Sequence, residues 1–323
     1  MPCTSKSNRG TRNWLDLPSD VTANILSRLG LFDILEIAQK VCNAWCEICK
    51  DPVLWRVIHV DYKNLSLKAE TFYKQAVDNS QGQLIDITIE NYSDDEFLQY
   101  VAARSRQLRH LRVASCYGFS CMGGTWIEAL KKFPVLAELS LYSAEVSKEF
   151  IETAGHYCPM LKTLKLNHGP CPFFEESVED CDNIAIAIGE NLHKLEHLEL
   201  IGSCMSNIGL GAILDGCDRL KSLDLRGCVN IDLKGAVGKR CLEQIKCVKL
   251  PNESLEGCPY IYIIDRDAYS EDSDDHYFDH DDADDEDFFD HDAEYDNFME
   301  HDDEYDEFDG YFRELLTSMD MFE

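Results

Sequence analysis

Positive charge is scarce in this chain: 30 Lys and Arg stand against 61 Asp and Glu, a formal net charge of −31. The shortage is concentrated at one end. From Asp265 to Glu323 there are 27 acidic residues and 2 basic ones, whereas the preceding 264 residues carry 34 acids and 28 bases. Binding to DNA or RNA is driven by Lys and Arg displacing phosphate counterions, so a body of net −6 followed by a tail of −25 argues against a nucleic-acid partner. There is no apolar run of the roughly 18 residues that a bilayer crossing requires, and the opening MPCTSKSNRGTRNW holds no apolar stretch of signal-peptide length. A soluble, non-secreted protein of the nucleus or cytoplasm, with no membrane partner, is expected. Aliphatic residues also run out: residues 265–323 contain no Ile or Val and only Leu315 and Leu316. So little apolar surface cannot offset an ordering cost of about 1–2 kcal/mol per residue, and the tail is expected to be disordered.

Signatures of catalysis are missing too. No Gly-rich phosphate loop, nucleophile-elbow phrase, His-Glu-x-x-His or RING-like Cys/His ladder occurs. Paired carboxylates abound only in the tail, where the fixed geometry of acid–base chemistry is not to be had. No catalytic residue, no cofactor and no enzyme activity of its own are expected. The 15 cysteines all precede Asp265, and their odd number without a secretory signal implies a reducing compartment and free thiols. Cys46 and Cys49 form a Cys-x-x-Cys pair, but structural zinc needs four ligands and no second pair stands at a suitable spacing, so no metal is expected. In the tail, His280, His291 and His301 each open a run of acids and aromatics. No window there has the glycine and terminal glutamate of an EF-hand loop. The tail reads as a solvated segment that binds a basic protein or folds back over basic residues of the body.

Against these absences stand two dense apolar patterns. In residues 14–57, Pro18 and Asp20 open a helix whose apolar face is Val21, Ile25, Leu26 and Leu29, with Gly30 as its end. Asp33 and Glu36 have capping-box spacing, and Ile34, Ile37, Ala38, Val41, Cys42, Trp45, Ile48 and Cys49 continue the next apolar face until Asp51-Pro52 stops it. About 44 residues is near the lower limit for a self-sufficient core, so this unit is expected to dock on a partner.

From Leu84 a phrase of three apolar residues at i, i+3 and i+5 recurs: Leu84/Ile87/Ile89, Leu108/Leu111/Val113, Leu136/Leu139/Leu141, Leu161/Leu164/Leu166, Leu195/Leu198/Leu200, Leu220/Leu223/Leu225 and Ile245/Val248/Leu250. Amphipathic segments separate the copies, for example Glu96–Ala103, Trp126–Phe133 and Ser147–Ala154. A strand followed by a helix that packs on the next copy is how repeat solenoids bury a face that no single copy can cover. The fourth interval is long and holds Gly169-Pro170-Cys171-Pro172, so a bulging loop is expected there.

The phrases Leu17-Pro18, Ile25-Leu26, Leu29, Asp33, Val41-Cys42, Trp45 and Leu54-Trp55 resemble an F-box. The copies at Cys158–Leu166 and Cys217–Leu225 are similar to cysteine-containing leucine-rich repeats. Together they resemble the plant F-box/leucine-rich-repeat proteins of the Skp-interacting-partner-like group. The implied fold is α/β: a flexible N-terminus (1–13), a helical F-box (14–57), a linker or cap (58–83), about seven leucine-rich repeats (84–264) and the acidic tail (265–323).

The resemblance also implies a function, that of a non-catalytic, substrate-recognition subunit of an SCF-type ubiquitin ligase. Leu17, Pro18, Ile25, Leu26, Leu29, Val41, Cys42, Trp45, Leu54 and Trp55 are then the residues expected to meet a Skp-type adaptor, and through it cullin and RING subunits. Strand residues between the inward-facing apolars should line the concave side, which makes Arg112, Tyr142, Lys165, His197, Glu199, Asp224, Arg226 and Lys249 the candidates to read a protein substrate. The competing reading is a scaffold or acidic chaperone whose tail holds basic proteins.

Overall fold

The computed structural model describes residues 17–61, 69–91, 95–121, 123–168 and 177–258. The expectations of a flexible N-terminus, of a bulging loop at Gly169-Pro170-Cys171-Pro172 and of a disordered acidic tail fall outside the described residues. The chain divides into two units, Met1–Ala268 and Tyr269–Glu323.

The first module is helical. Helix α1 (Ser19–Leu26) starts on Pro18, whose carbonyl accepts the Thr22 N–H at 3.1 Å. A π-helical turn (Asp33–Ala38) runs into the short α2 (Gln39–Val41), α3 spans Asn43–Cys49, and a 3-10 turn, Pro52–Trp55, closes the module. Two boundaries differ from the sequence reading. Gly30 does not end α1, which stops at Leu26; it opens the next helix, where its N–H donates to Asp33 Oδ2 at 3.2 Å and its carbonyl accepts the Ile34 N–H. Asp33 thus sits at the third helical position of the cap, not at the cap itself. The apolar face from Ile34 to Cys49 is also not one helix. At Cys42 the backbone turns extended (φ −162°, ψ 167°), and the Cys42 thiol accepts the Trp45 N–H at 3.5 Å, capping α3.

The second module is an eight-stranded, all-parallel open sheet in the sequential order β1 (Val57–Asp61), β2 (Asp86–Glu90), β3 (His110–Ser120), β4 (Glu138–Glu145), β5 (Thr163–Asn167), β6 (His197–Glu199), β7 (Ser222–Asp224), β8 (Cys247–Lys249). Helices α4 (Ala69–Asn79), α5 (Asp95–Arg104), α6 (Gly124–Leu130), α7 (Lys148–Tyr157), α8 (Val178–Asn191), α9 (Asn207–Gly216) and α10 (Ala236–Gln244) fill the intervals. All seven apolar phrases supply strands. Their residues from Leu84 to Leu225 are buried, whereas Val248 and Leu250 of the last copy are only half-buried, since among the described residues no further repeat covers them. Helix starts are capped by Ser147, Ser177 and Ser206, each accepting a backbone N–H. Asp182 of α8 reaches across to accept from the Ser206 and Gly209 amides at 2.8 and 3.0 Å, so one repeat caps the helix of the next. At the same seam a Cβ on Gly216 would lie 1.8 Å from the Gly189 carbonyl oxygen; only glycine permits that approach.

The sheet has one more strand than the seven phrases, and it lies where a linker was expected. Trp55, Ile58 and Val60 repeat the same i, i+3, i+5 spacing with Trp in place of Leu, and all three are buried. The backbone agrees: the Ile85 N–H donates to the Arg56 carbonyl, as Arg109 does to Ile85 and Ala137 to Arg109. Trp55 is therefore both the last residue of the helical module and the first inward residue of the solenoid. Its indole N–H donates to the Cys49 carbonyl at 2.8 Å, and Phe32 meets Phe72 and Tyr73 of α4 edge-on at 5.8 and 5.6 Å. The two modules share one apolar core.

Candidate docking surfaces

The helical module buries Leu26, Ile34, Leu35, Ala38, Cys49 and Trp55. This small core leaves many apolar side chains outside. Leu17, Val21, Phe32, Val41 and Val53 are between 37 and 59% exposed, Pro18 is exposed, and Ile25, Leu29, Cys42, Trp45 and Leu54 are half-buried. Of the ten residues expected to meet an adaptor, eight thus present surface. Leu26 (0%) and Trp55 (2%) hold that surface up from inside. Val21, Phe32 and Val53 are additional exposed apolars that sequence reasoning placed inward or did not single out. Their signal was quantitative: there are more apolar positions than a core of this size can cover.

The outward face of the sheet is charged, and its charges are already paired. One register row runs His59, Thr88, Arg112, Ser140, Lys165, Glu199, Asp224, Lys249 across β1–β8. Arg112 and Lys165 both reach Glu138, each at 3.5 Å, and Lys165 also reaches Glu199 at 3.6 Å. Asn167 donates to Glu199 at 3.2 Å. Arg226 and Lys249 converge on Asp224 at 2.7 and 3.0 Å. His59 faces Glu90 and His110 faces Asp86 at 3.0 and 3.1 Å, and His197 meets the Ser222 hydroxyl at 2.7 Å.

The eight candidate readers therefore separate. Arg112, Lys165, His197, Glu199 and Lys249 keep open surface. Tyr142 does not: it pairs with Asn167 in another row, is 2% exposed, and burial pushes its phenol up to about 12. Asp224 and Arg226 are buried as a bidentate pair, with Arg226 Nη1 also on the Ser254 carbonyl at 2.9 Å. Burial opposes ionisation of Asp224, but the hydrogen bonds from Arg226 and Lys249 outweigh it and hold its carboxyl below the ordinary 3.8.

The twelve described thiols are free, and burial raises Cys158 and Cys228 to about 12 and Cys49, Cys217 and Cys241 to about 11. Held as thiols, they fill space and bond weakly to carbonyls, as Cys158 does to Leu130 and Cys217 to Leu192.

Residues 14–61 match the F-box-like family. Over 261 residues the chain is 41% identical to the F-box protein SKIP19 of Arabidopsis thaliana, covering 80% of this chain and 83% of that protein. The chain belongs to the F-box/leucine-rich-repeat family. It is also 44% identical over 247 residues to F-box/LRR-repeat protein 23 of Arabidopsis thaliana, spanning 54% of that relative's length and 75% of its own. Among solved structures, the leucine-rich repeat-containing protein LegL7 from Legionella pneumophila overlaps with a TM-score of 0.39 at 14% identity, covering 63% of this chain and 71% of that one. The F-box match ends at Asp61, the last residue of β1, so F-box and solenoid overlap in the family pattern as they do around Trp55.

Proposed function

We propose that this F-box/LRR protein is the substrate-recognition subunit of an SCF-type ubiquitin ligase in the nucleus or cytoplasm. A Skp-type adaptor takes the exposed apolar face of the F-box, cullin and RING subunits follow through that adaptor, and the repeats hold a protein substrate. The chain performs no bond chemistry. Its contribution is effective concentration, since a substrate lysine held near a charged ubiquitin carrier reacts as in an intramolecular step.

The observation that carries this reading is the set of half-exposed apolar residues on the F-box, Leu17, Val21, Val41 and Val53, apolar surface that gains from being covered by about 25 cal/mol per Å². Replacing Leu17 and Pro18 together by Ala should abolish co-purification of a Skp-type adaptor while circular dichroism of the repeats stays unchanged. Adaptor retention by the double variant refutes the assignment. For the reader, Lys165→Ser with Glu199→Ser and Lys249→Ser should remove substrate capture when the proteasome is blocked; capture equal to the parent protein moves the reading site off the sheet face.

A further inference from the structure

Charges on the sheet face are paired, but a second row, at the rim where the strands begin, is paired only in part. It consists of the residue just after the first inward apolar of each repeat: Arg56, Ile85, Arg109, Ala137, Lys162, Glu196, Lys221 and Lys246. From Arg56 to Lys221 the row is a backbone ladder, each amide donating to the carbonyl of the preceding member at 2.8–2.9 Å. Cations thus stand immediately before β1, β3, β5 and β7, at the starts of alternate strands, with Lys246 beyond them.

One interval of this row shows what the spacing accepts. Glu196 lies between Lys162 and Lys221, bonded to Lys162 at 2.8 Å and to Lys221 as well, and these bonds pull its carboxyl down to about 2. A carboxylate is held between two cations that sit two strands apart. The two preceding intervals are also flanked by cations, but the residue between them is not an acid. Ile85 lies between Arg56 and Arg109, and Ala137 between Arg109 and Lys162. Arg56 and Arg109 are exposed and have no carboxylate partner among the described residues, nor have Arg106, Arg219 and Lys246 on or beside the same rim. Lys162 can serve two carboxylates at once, as Lys165 on the same strand does with Glu138 and Glu199.

We propose that this rim is a docking surface for an extended acidic segment of another protein, whose carboxylates occupy the two empty intervals flanking Arg109. Strands lie about 4.8 Å apart, so the intervals are about 10 Å apart. A chain in the extended polyproline II form advances about 3.1 Å per residue and turns once every three, so two Asp or Glu three residues apart stand on one face about 9 Å from each other, and the matching ligand carries that spacing. A polynucleotide fits less well, because its charge on every residue meets a chain of net −31, whereas the segment proposed here brings two charges to a locally cationic edge. This surface lies beyond the adaptor and substrate roles above and stands without either of them.

The test uses the full chain and a fluorescent Gly/Ser peptide of about a dozen residues containing one Glu-x-x-Glu, followed by anisotropy at low salt, where exposed charges are least screened. Arg109→Glu, which reverses the cation common to both intervals, should weaken binding at least about tenfold. Ala137→Glu supplies an internal carboxylate to one interval and should weaken it about threefold or more without lowering the melting temperature. Lys234→Glu, on a loop outside the row, should leave affinity unchanged. The proposal is overturned if Arg109→Glu binds as the parent protein does, if a peptide with adjacent glutamates binds equally well, or if a single-stranded oligonucleotide of equal charge binds more tightly and shows the same loss in Arg109→Glu.

Discussion

The F-box and the repeat solenoid treat apolar residues in opposite ways. In the F-box, Leu17, Val21, Val41 and Val53 stay 37–59% exposed, whereas the strand leucines from Leu84 to Leu225 are at most 6% exposed. A module of some forty residues has too much surface for its volume to hide every apolar side chain. A repeat does not face that limit, because its neighbour covers what it cannot. The surplus on the F-box is thus a ready contact for an apolar partner, while the solenoid, its apolar residues covered, presents a charged surface. The two are nevertheless not separate bodies, since Trp55 serves both.

That shared residue offers the most severe way to break the contrast. Trp55→Ala should cost about 3–5 kcal/mol, with F-box and repeats losing structure in a single urea transition; two separated transitions would show that the modules do not depend on one another. Next in size is the buried pair of the solenoid. Asp224→Asn should cost about 1.5–3 kcal/mol, measured by chemical denaturation. Because the folded carboxyl titrates below the ordinary aspartate value of 3.8, its contribution is complete above that pH and is lost as pH falls through the lower folded value. The difference between parent and variant should therefore shrink in acid. On the F-box surface, Val21→Ser with Val53→Ser should change stability by no more than about 0.5 kcal/mol yet reduce adaptor capture in a pull-down. Smallest of all, Arg240→Ala removes an exposed pair with Asp215 and should change the unfolding free energy, measured by chemical denaturation, by less than about 0.5 kcal/mol.

Most of the repeat architecture was legible because its signal is local and recurs: three apolar residues at i, i+3 and i+5 name a strand wherever they occur. The first strand escaped because Trp55 had already been assigned to the F-box and because Trp, not Leu, opens the phrase. Within the F-box, the residue types of the family pattern were plain, but the helix boundaries at Gly30 and Cys42 were not. Gly30 and Asp33 suit more than one position around a cap, and a thiol as helix cap has no distinctive spacing.

The candidate sites show the same division more sharply. Strand alternation puts Arg112, Lys165, Glu199 and Lys249 on one face, and they fall in one register row. Nothing in that alternation distinguishes them from Tyr142, Asp224 and Arg226, which the fold closes off.

By itself, then, the order of residues determined the repeat, the inward face of seven of the eight strands, the F-box pattern and the separation of a near-neutral body from an acidic tail, since each depends on neighbours close along the chain. Only the tertiary structure decided which charges are spent on one another. Glu138 answers Arg112 and Lys165 from adjacent strands, while Arg56 and Arg109 find no carboxylate among the described residues; partners 25 or more residues apart meet only when strands stack in register.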